Sequence, residues 1–314
     1  MQLSFLGAGL PNESISHEVH KGHHGDRLLL FLVERWTLGV GRWTFPSVFP
    51  LFTATFPSSA SDLERLLNES LQRVFVAEPD PVTLRERSYP HLEAITLSLD
   101  GARLRADPPR PPVISGKTSP ALEVDQLTLS ASPLLLGPAA VNLSLSAREV
   151  QFSQGKDSNA QIVLSPESAA DGSIEISATQ IDLEALIAEL AQNQAGKQGI
   201  TIDGVQLKLR QKNAHSLAVE VRLRARKLFL SASLQVTGQL ELDDQLNFTI
   251  SDLNCTGDGG IATLACGILK PYLQKIDGRE FPLMSLPLGN ICLRDVRLAV
   301  GDRVSVTAEF GSAT

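Results

Sequence analysis

The chain of 314 residues is poor in aromatic side chains and in long apolar runs. Aromatic residues make up 5% of the sequence, which argues against a surface that stacks on bases or sugars. No apolar run reaches the roughly 20 residues that a membrane-spanning helix needs. The sequence also shows no clear signal peptide, so it leaves the compartment undetermined.

Cations and cysteines are scarce as well. The chain has 28 Lys and Arg against 35 Asp and Glu, which gives a net charge of −7. We therefore expect no nucleic-acid partner, because neutralising phosphates requires an excess of cations. Cys255, Cys266 and Cys292 are an odd set that lacks the spacing of a zinc site, and we expect buried free thiols.

Motifs of catalysis and cofactor binding are missing. The sequence contains no GxSxG serine elbow, no phosphate-binding loop, no GxGxxG and no HExxH. His17, His20, His23 and His24 are the strongest metal candidates, but two glycines among them exclude the helix that would bring their imidazoles together. The sequence therefore favours a protein that is not an enzyme and holds neither metal nor cofactor.

Residues 1–57 differ in composition from the rest of the chain. Pro46, Pro50 and Pro57 argue against regular structure there and predict a mobile leader. The leader would rest its aromatic side chains on a membrane interface or on the domain. An equally weighted alternative is that this stretch is wholly disordered or results from a wrongly assigned start of the sequence. These side chains are Trp36, Trp43, Phe45, Phe49 and Phe52.

Residues 58–314 are predicted to form one elongated domain with halves at about 58–180 and 181–314. Apolar residues recur with helical spacing in 61–76, 181–194 and 261–276, which predicts three amphipathic helices. Between them apolar and polar residues alternate, as is typical of half-buried antiparallel strands. With no βαβ alternation, we expect an α+β fold of curved antiparallel sheets wrapped around long amphipathic helices.

A predicted hairpin in the second half of the chain has basic residues at alternate positions. Pairing of its strands would bring these side chains to one side of the sheet and favour an anionic partner such as phospholipid headgroups. A solvated face that guards a sheet edge is the alternative. The basic residues are Lys208, Arg210, Lys212, Arg222, Arg224 and Arg226.

Three stretches carry a resemblance to a known family. They are "QIDLEALIAEL" from Gln180, the uninterrupted strands of 200–253, and "LKPYLQKIDGREFPLMSLPLGNICLRDVRLAVGDRVSVTAEFG" from Leu269. Residues 121–311 thereby resemble the LmeA-like bacterial phospholipid-binding family of the tubular lipid-binding (TULIP) superfamily. The resemblance implies a curved sheet around helices, an apolar groove for acyl chains and no catalytic residues.

The leading function is binding, and transfer, of phospholipid or another acyl-chain lipid in an apolar groove, with peripheral contact to an anionic membrane. The alternatives are a structural or adaptor β-domain with a closed core and a protein partner, and an enzyme built from scattered residues. The alternation of 281–298 predicts a strand that shares a wall with the third helix. The groove candidates are Leu183, Leu186, Ile187, Leu190, Leu264, Ile268, Tyr272, Leu273, Phe281, Leu283, Ile291 and Leu293.

Overall fold

The computed structural model describes residues 49–109, 112–196, 199–227, 230–242, 247–282 and 291–312. Strands hold 61% of these residues and helices 19%. Ten residues within helices and strands have a described backbone but no described side chain. They are Gln194, Asn247, Phe248, Ile268, Tyr272, Phe281, Pro282, Ile291, Cys292 and Ser312.

Eleven strands form the larger sheet, which we call sheet A. Its main order is β15-β16-β9-β7-β6-β4-β3, with β1 beside β8, β8 beside β7, and β5 between β2 and β6. The strands are β1 (Phe49–Pro50), β2 (Phe75–Val76), β3 (Val82–Ser88), β4 (His91–Ser98), β5 (Arg103–Leu104), β6 (Ser115–Leu136), β7 (Ala139–Lys156), β8 (Ile162–Ser168), β9 (Asp171–Thr179), β15 (Ile291–Val300) and β16 (Arg303–Ser312).

Five consecutive strands form sheet B, an antiparallel meander in the order β10-β11-β12-β13-β14. The predicted run of strands without an intervening helix is confirmed for β10 to β13. The strands are β10 (Thr201–Asn213), β11 (Ser216–Lys227), β12 (Leu230–Leu242), β13 (Asn247–Asp258) and β14 (Arg279–Pro282), and the helices are α1 (Ala60–Val74), α2 (Gln180–Ala195) and α3 (Gly260–Ile276).

Helix α1 packs its predicted apolar stripe into the main core of sheet A. Leu63, Leu66, Leu67 and Leu71 are buried there because the 3.6-residue period places them on one face. Ser59 caps the helix by accepting a hydrogen bond from the amide of Asp62 at 3.2 Å. The existence and the buried face of this helix are thus confirmed.

The predicted fold class is wrong. The helices have 15, 16 and 17 residues, and sheet A is mixed because β4 and β6 run parallel. Strand β2 directly follows α1, and Gly278, with a φ of +71°, follows the end of α3, so neither of these helices extends further. The alternation in 115–156 instead builds strands of 22 and 18 residues. Alternation of apolar and polar residues identifies a strand, but it does not show whether the neighbouring strand runs parallel or antiparallel to it.

The end of the predicted leader belongs to the fold. Phe49 pairs with Leu164 in sheet A, and Leu51 is fully buried in the main core. The Arg73 guanidinium lies 3.9 Å from the centre of the Phe52 ring. Residues 1–48, which include the four leader histidines, lie outside the described ranges.

The two described ends of the segment 281–298 pair with different strands. Strand β14 pairs with β13 in sheet B, whereas β15 pairs with β16 in sheet A. The described part of β14 stops at Pro282, and 283–290 lie outside the described ranges. The two ends of this segment therefore belong to different sheets.

The prediction of free thiols is wrong for two of the three cysteines. A disulfide joins Cys255 in β13 to Cys266 in α3, with 5.4 Å between their Cα atoms. Cys255 lies on the face of β13 that α3 covers, so the packing of the helix brings the sulfur atoms together. The side chain of Cys292 lies outside the described part of the chain.

Sheet A is assembled from two distant pieces of chain, with sheet B inserted between them. Strand β16 returns to pair with β9, and Arg303 Nε donates a hydrogen bond to Ser177 Oγ across 126 residues. The sheets meet where the Leu298 amide donates to Ala214 O at 2.9 Å. Gln211 adds two further hydrogen bonds to the backbone of β15.

Candidate functional site

Sheet B has one apolar face and one polar face. Apolar and polar residues alternate along its strands, and the pairing of the strands brings residues of the same kind to the same face. On the apolar side each residue of β10 faces an aliphatic residue of β11, and Val221 also faces Val236 of β12. The pairs between β10 and β11 are Val205 with Leu223, Leu207 with Val221, and Leu209 with Val219.

Much of this apolar face is only partly covered. Helix α2 lies along β10, whereas α3 packs on β12 and β13. The aliphatic side chains around β11 therefore keep partial contact with solvent, which is unusual for a continuous aliphatic surface. We call this set the open face: Val205, Leu209, Val219, Val221, Leu223, Val236 and Leu240.

Helix α2 is tied to the free edge of β10 by polar side chains. Glu184 Oε1 accepts a hydrogen bond from the amide of Leu207 at 2.8 Å, and Gln180 Nε2 donates to the carbonyl of Leu207 at 2.7 Å. One turn from the other end, Gln192 Oε1 accepts from the amide of Ile202 at 2.7 Å. These contacts fix the helix beside the sheet without burying its apolar side chains completely.

The start of α2 is fixed to sheet A by Asp182. Thr179 is the N-cap, and the Asp182 carboxylate accepts a hydrogen bond from the amide of Ala140 at 3.0 Å. Burial opposes ionisation of this carboxyl, but hydrogen bonds from the Thr179 side chain and the Ala140 amide outweigh it and lower its pKa. The ionised carboxylate thus links helix α2 to β7.

Helix α3 is held on sheet B by a small core and the disulfide. Leu234, Ala262 and Cys266 form the buried cluster between them. A side chain at Gly257 would come within 2.5 Å of the Ala262 methyl, so this glycine lets the helix approach the strand closely.

The predicted groove residues are partly brought together. The aliphatic candidates of α2 are half-buried, and Leu183 packs against the main core, as does Leu293. Leu273 is buried, whereas Leu264 is 68% exposed. The remaining candidates have side chains outside the described part or lie outside the described ranges: Ile268, Tyr272, Phe281, Leu283 and Ile291.

The open face itself was missed as a site by the sequence analysis. Its signal was available in the alternation of β11 and β12, but alternation alone does not tell a covered face from an uncovered one. Only the positions of α2 and α3 make that distinction.

The six basic candidates share the polar face of sheet B and are all exposed. The register places Lys208 opposite Glu220 and Arg222 opposite Gln206, so cations do not face one another directly. Glu220 lies 2.8 Å from Arg222 Nε and 3.8 Å from Lys208 Nζ. This arrangement relieves the repulsion that like charges in opposite positions would create.

The described residues offer little for chemistry. His91 Nε2 lies 2.7 Å from Asp125 Oδ1, and its hydrogen bond lowers the pKa of that carboxyl. No hydroxyl or thiol of the described residues completes this pair into a nucleophilic site. A depression of about 350 Å³ beside α1 is lined mainly by polar side chains such as Glu64, Arg65 and Glu69.

The described part of the chain was also expected to hold no metal site and no membrane-spanning helix. Within the described ranges, no group of three or more His, Cys, Asp and Glu side chains is placed to hold a metal ion. None of the three helices in that part of the chain is both long and apolar enough to span a membrane.

Comparison with protein-family models, with curated proteins and with solved structures finds no match for this chain.

Proposed function

We propose that this chain binds phospholipid or another acyl-chain lipid along the open face, without catalysing a reaction, and contacts membranes peripherally. The observation that carries the proposal is the partial exposure of aliphatic side chains on β11 and β12, between two helices. A partly exposed aliphatic face of this kind favours binding of an apolar ligand that shields its side chains from solvent.

The composition of the open face suits a hydrocarbon chain. Each methylene removed from water contributes about 0.8 kcal/mol, so an acyl chain needs no polar recognition to bind. A lipid in a bilayer already has this stabilisation, and a protein site must replace one hydrocarbon environment by another. An aliphatic lining meets that requirement.

Two further features support the proposal. The resemblance of residues 121–311 to the LmeA-like family implies a lipid ligand. The exposed basic side chains on the opposite face of sheet B suit an anionic headgroup or membrane surface, although the chain as a whole carries a net charge of −7.

The first test is native mass spectrometry, with solvent extraction, of the full chain purified without detergent. We expect phospholipid in stoichiometric amount. A clean apo mass, even after exposure to liposomes, would contradict the proposal and turn attention to a protein partner.

A pair of double variants tests the location. Val221→Ser with Val236→Ser places two hydroxyls in the open face at directly opposed positions, and we expect bound lipid to fall at least tenfold. Ala218→Ser with Gln239→Ser changes an opposed pair on the other face of the same strands and should leave binding unchanged. Equal losses in both variants would place the ligand elsewhere.

A further inference from the structure

We propose that one end of sheet B docks on an anionic lipid bilayer, an inference that rests on the lipid-binding function proposed above. The surface lies where β11 ends, β12 begins and α3 begins. We call it the docking end and define it by Arg224, Lys227, Leu230, Ile261 and Leu264.

The apolar part of the docking end consists of three aliphatic side chains in solvent. Leu230 is 57% exposed, Ile261 44% and Leu264 68%. Ile261 and Leu264 are three residues apart on the first turns of α3 and therefore share one face of that helix. Ala262 and Cys266 face the sheet instead.

These side chains come from one end of the sheet. Lys227 is opposite Leu230 at the start of β12, and Ser233 is opposite Asp258 just before α3 begins. The close approach of Ala262 to Gly257 seats the first turn of α3 over this end. The exposed apolar residues of β12 and α3 therefore lie at the same end of sheet B.

Cations lie at the same end of the sheet, with Arg224 on the polar face and Lys227 opposite Leu230. The side chains of Arg224 and Lys227 form no hydrogen bond or ion pair with any residue of the described ranges, whereas Arg226 lies 3.2 Å from Asp203. Asp258 is exposed on the β13 side, so the uncompensated cations lie on the β11 side. In a chain with a net charge of −7, such a local excess would orient this end towards an anionic surface.

A bilayer fits this combination better than a folded protein does. Exposed aliphatic side chains beside unpaired cations match the acyl and headgroup layers of an anionic membrane. The open face runs along the same strands, and Leu223 on β11 is its member closest to the docking end along that strand. A lipid leaving the bilayer at this end would meet the aliphatic lining directly.

Flotation of the full chain with vesicles tests the proposal. We expect binding to vesicles of 70% phosphatidylcholine and 30% phosphatidylglycerol that weakens as salt rises, and weaker binding to pure phosphatidylcholine. Arg224→Gln with Lys227→Gln should lower binding to the anionic vesicles at least tenfold. Leu230→Ser with Leu264→Ser should lower binding to both kinds of vesicle.

Control variants lie outside sheet B and helix α3. Val113→Ser removes an aliphatic side chain that is 80% exposed, and Arg65→Gln removes an exposed cation of α1, so both should bind vesicles as the natural chain does. Docking-end variants that also bind like the natural chain would overturn the proposal. Failure of the natural chain to bind either vesicle would overturn it too, and would leave a protein as the partner of this surface.

A second readout separates docking from lipid binding. A short-chain lysophospholipid supplied as a monomer needs no membrane contact, and we expect the docking-end variants to take it up as the natural chain does. Uptake without vesicle binding in the natural chain would overturn the docking proposal alone. Absence of uptake in the natural chain would contradict the lipid-binding function itself.

Discussion

Cys255 and Cys266 join strand β13 to helix α3 through a disulfide that closes a short loop, 11 residues apart in sequence. Among the described side chains, the buried cluster beneath the first turns of α3 has three members, and one of them is Cys266 itself. The covalent bond therefore reinforces the packing of this part of the helix on sheet B.

Removal of the disulfide should loosen α3. A native disulfide typically contributes about 2 to 4 kcal/mol. We therefore expect the backbone amides of α3 to exchange hydrogen at least thirtyfold faster in the double variant Cys255→Ser with Cys266→Ser than in the natural chain. Cys292→Ser retains the disulfide and is the control. Unchanged exchange in the double variant would mean that packing alone holds the helix.

Asn68 should be among the most sensitive polar residues of the domain. It is buried on α1, donates to the carbonyl of Val82 at 3.2 Å and accepts from the amide of Val82 at 2.8 Å. Asn68→Ala leaves both backbone groups unpaired, and we expect a loss of about 2 to 4 kcal/mol in the free energy of unfolding by urea. Glu69→Ala, at an exposed neighbour, should cost no more than about 0.5 kcal/mol.

Gly172 should tolerate no side chain. It lies opposite Phe310, and a Cβ atom there would come within 2.3 Å of the aromatic ring and 2.7 Å of the Ser146 carbonyl oxygen. We expect Gly172→Ala to cost about 1 to 3 kcal/mol, measured by thermal unfolding. Gly204→Ala is the matched control, because no atom lies within 4 Å of the Cβ position at that strand glycine. Similar losses in both variants would contradict the steric explanation.

Asp182 should make stability depend on pH in the acid range. Its pKa in the folded chain lies below the ordinary value of 3.8, because its hydrogen bonds outweigh the effect of burial. The ionised carboxylate therefore stabilises the fold above that value, and this contribution is lost as pH falls through the lower, folded pKa. We expect the difference in unfolding free energy between the natural chain and Asp182→Asn to shrink below pH 3.8.

The measurement is urea unfolding at a series of pH values. Glu175→Gln removes one negative charge from an exposed strand position of sheet A and controls for net charge. A difference for Asp182→Asn that stays constant into acid would show that this carboxyl is not linked to folding.

Local structure could be predicted from the sequence where the apolar residues of a segment follow one clear spacing, that of a helix or that of a strand. The leucines of α1 and the alternation of β10 to β13 identified their elements and their buried sides. Ser61 and Glu64 have the spacing of a capping box, which predicts that Ser61 caps α1. That prediction is wrong, because Ser59 takes this role and Glu64 accepts a hydrogen bond from the Leu84 amide. Such choices depend on tertiary contacts that a short window of sequence does not contain.

Long-range relationships could not be predicted in the same way. The parallel pairing of Leu92 with Val124 and the disulfide at Cys255 depend on how distant segments pack. The same holds for the candidate site, since the half-exposed state of Val219 and Val221 depends on where the helices lie. The sequence identified the aliphatic faces of the strands but not the part of them that helices α2 and α3 leave exposed.

The insertion of sheet B between β9 and β15 has a consequence for the order of folding. Short connections join strands β10 to β13 of sheet B, and such local contacts form early because they lose little loop entropy. Sheet A needs β16 to return across 126 residues before Arg303 reaches Ser177. We therefore expect the meander to be the kinetic nucleus, and the closure of the larger sheet around β9 to be the slow final step.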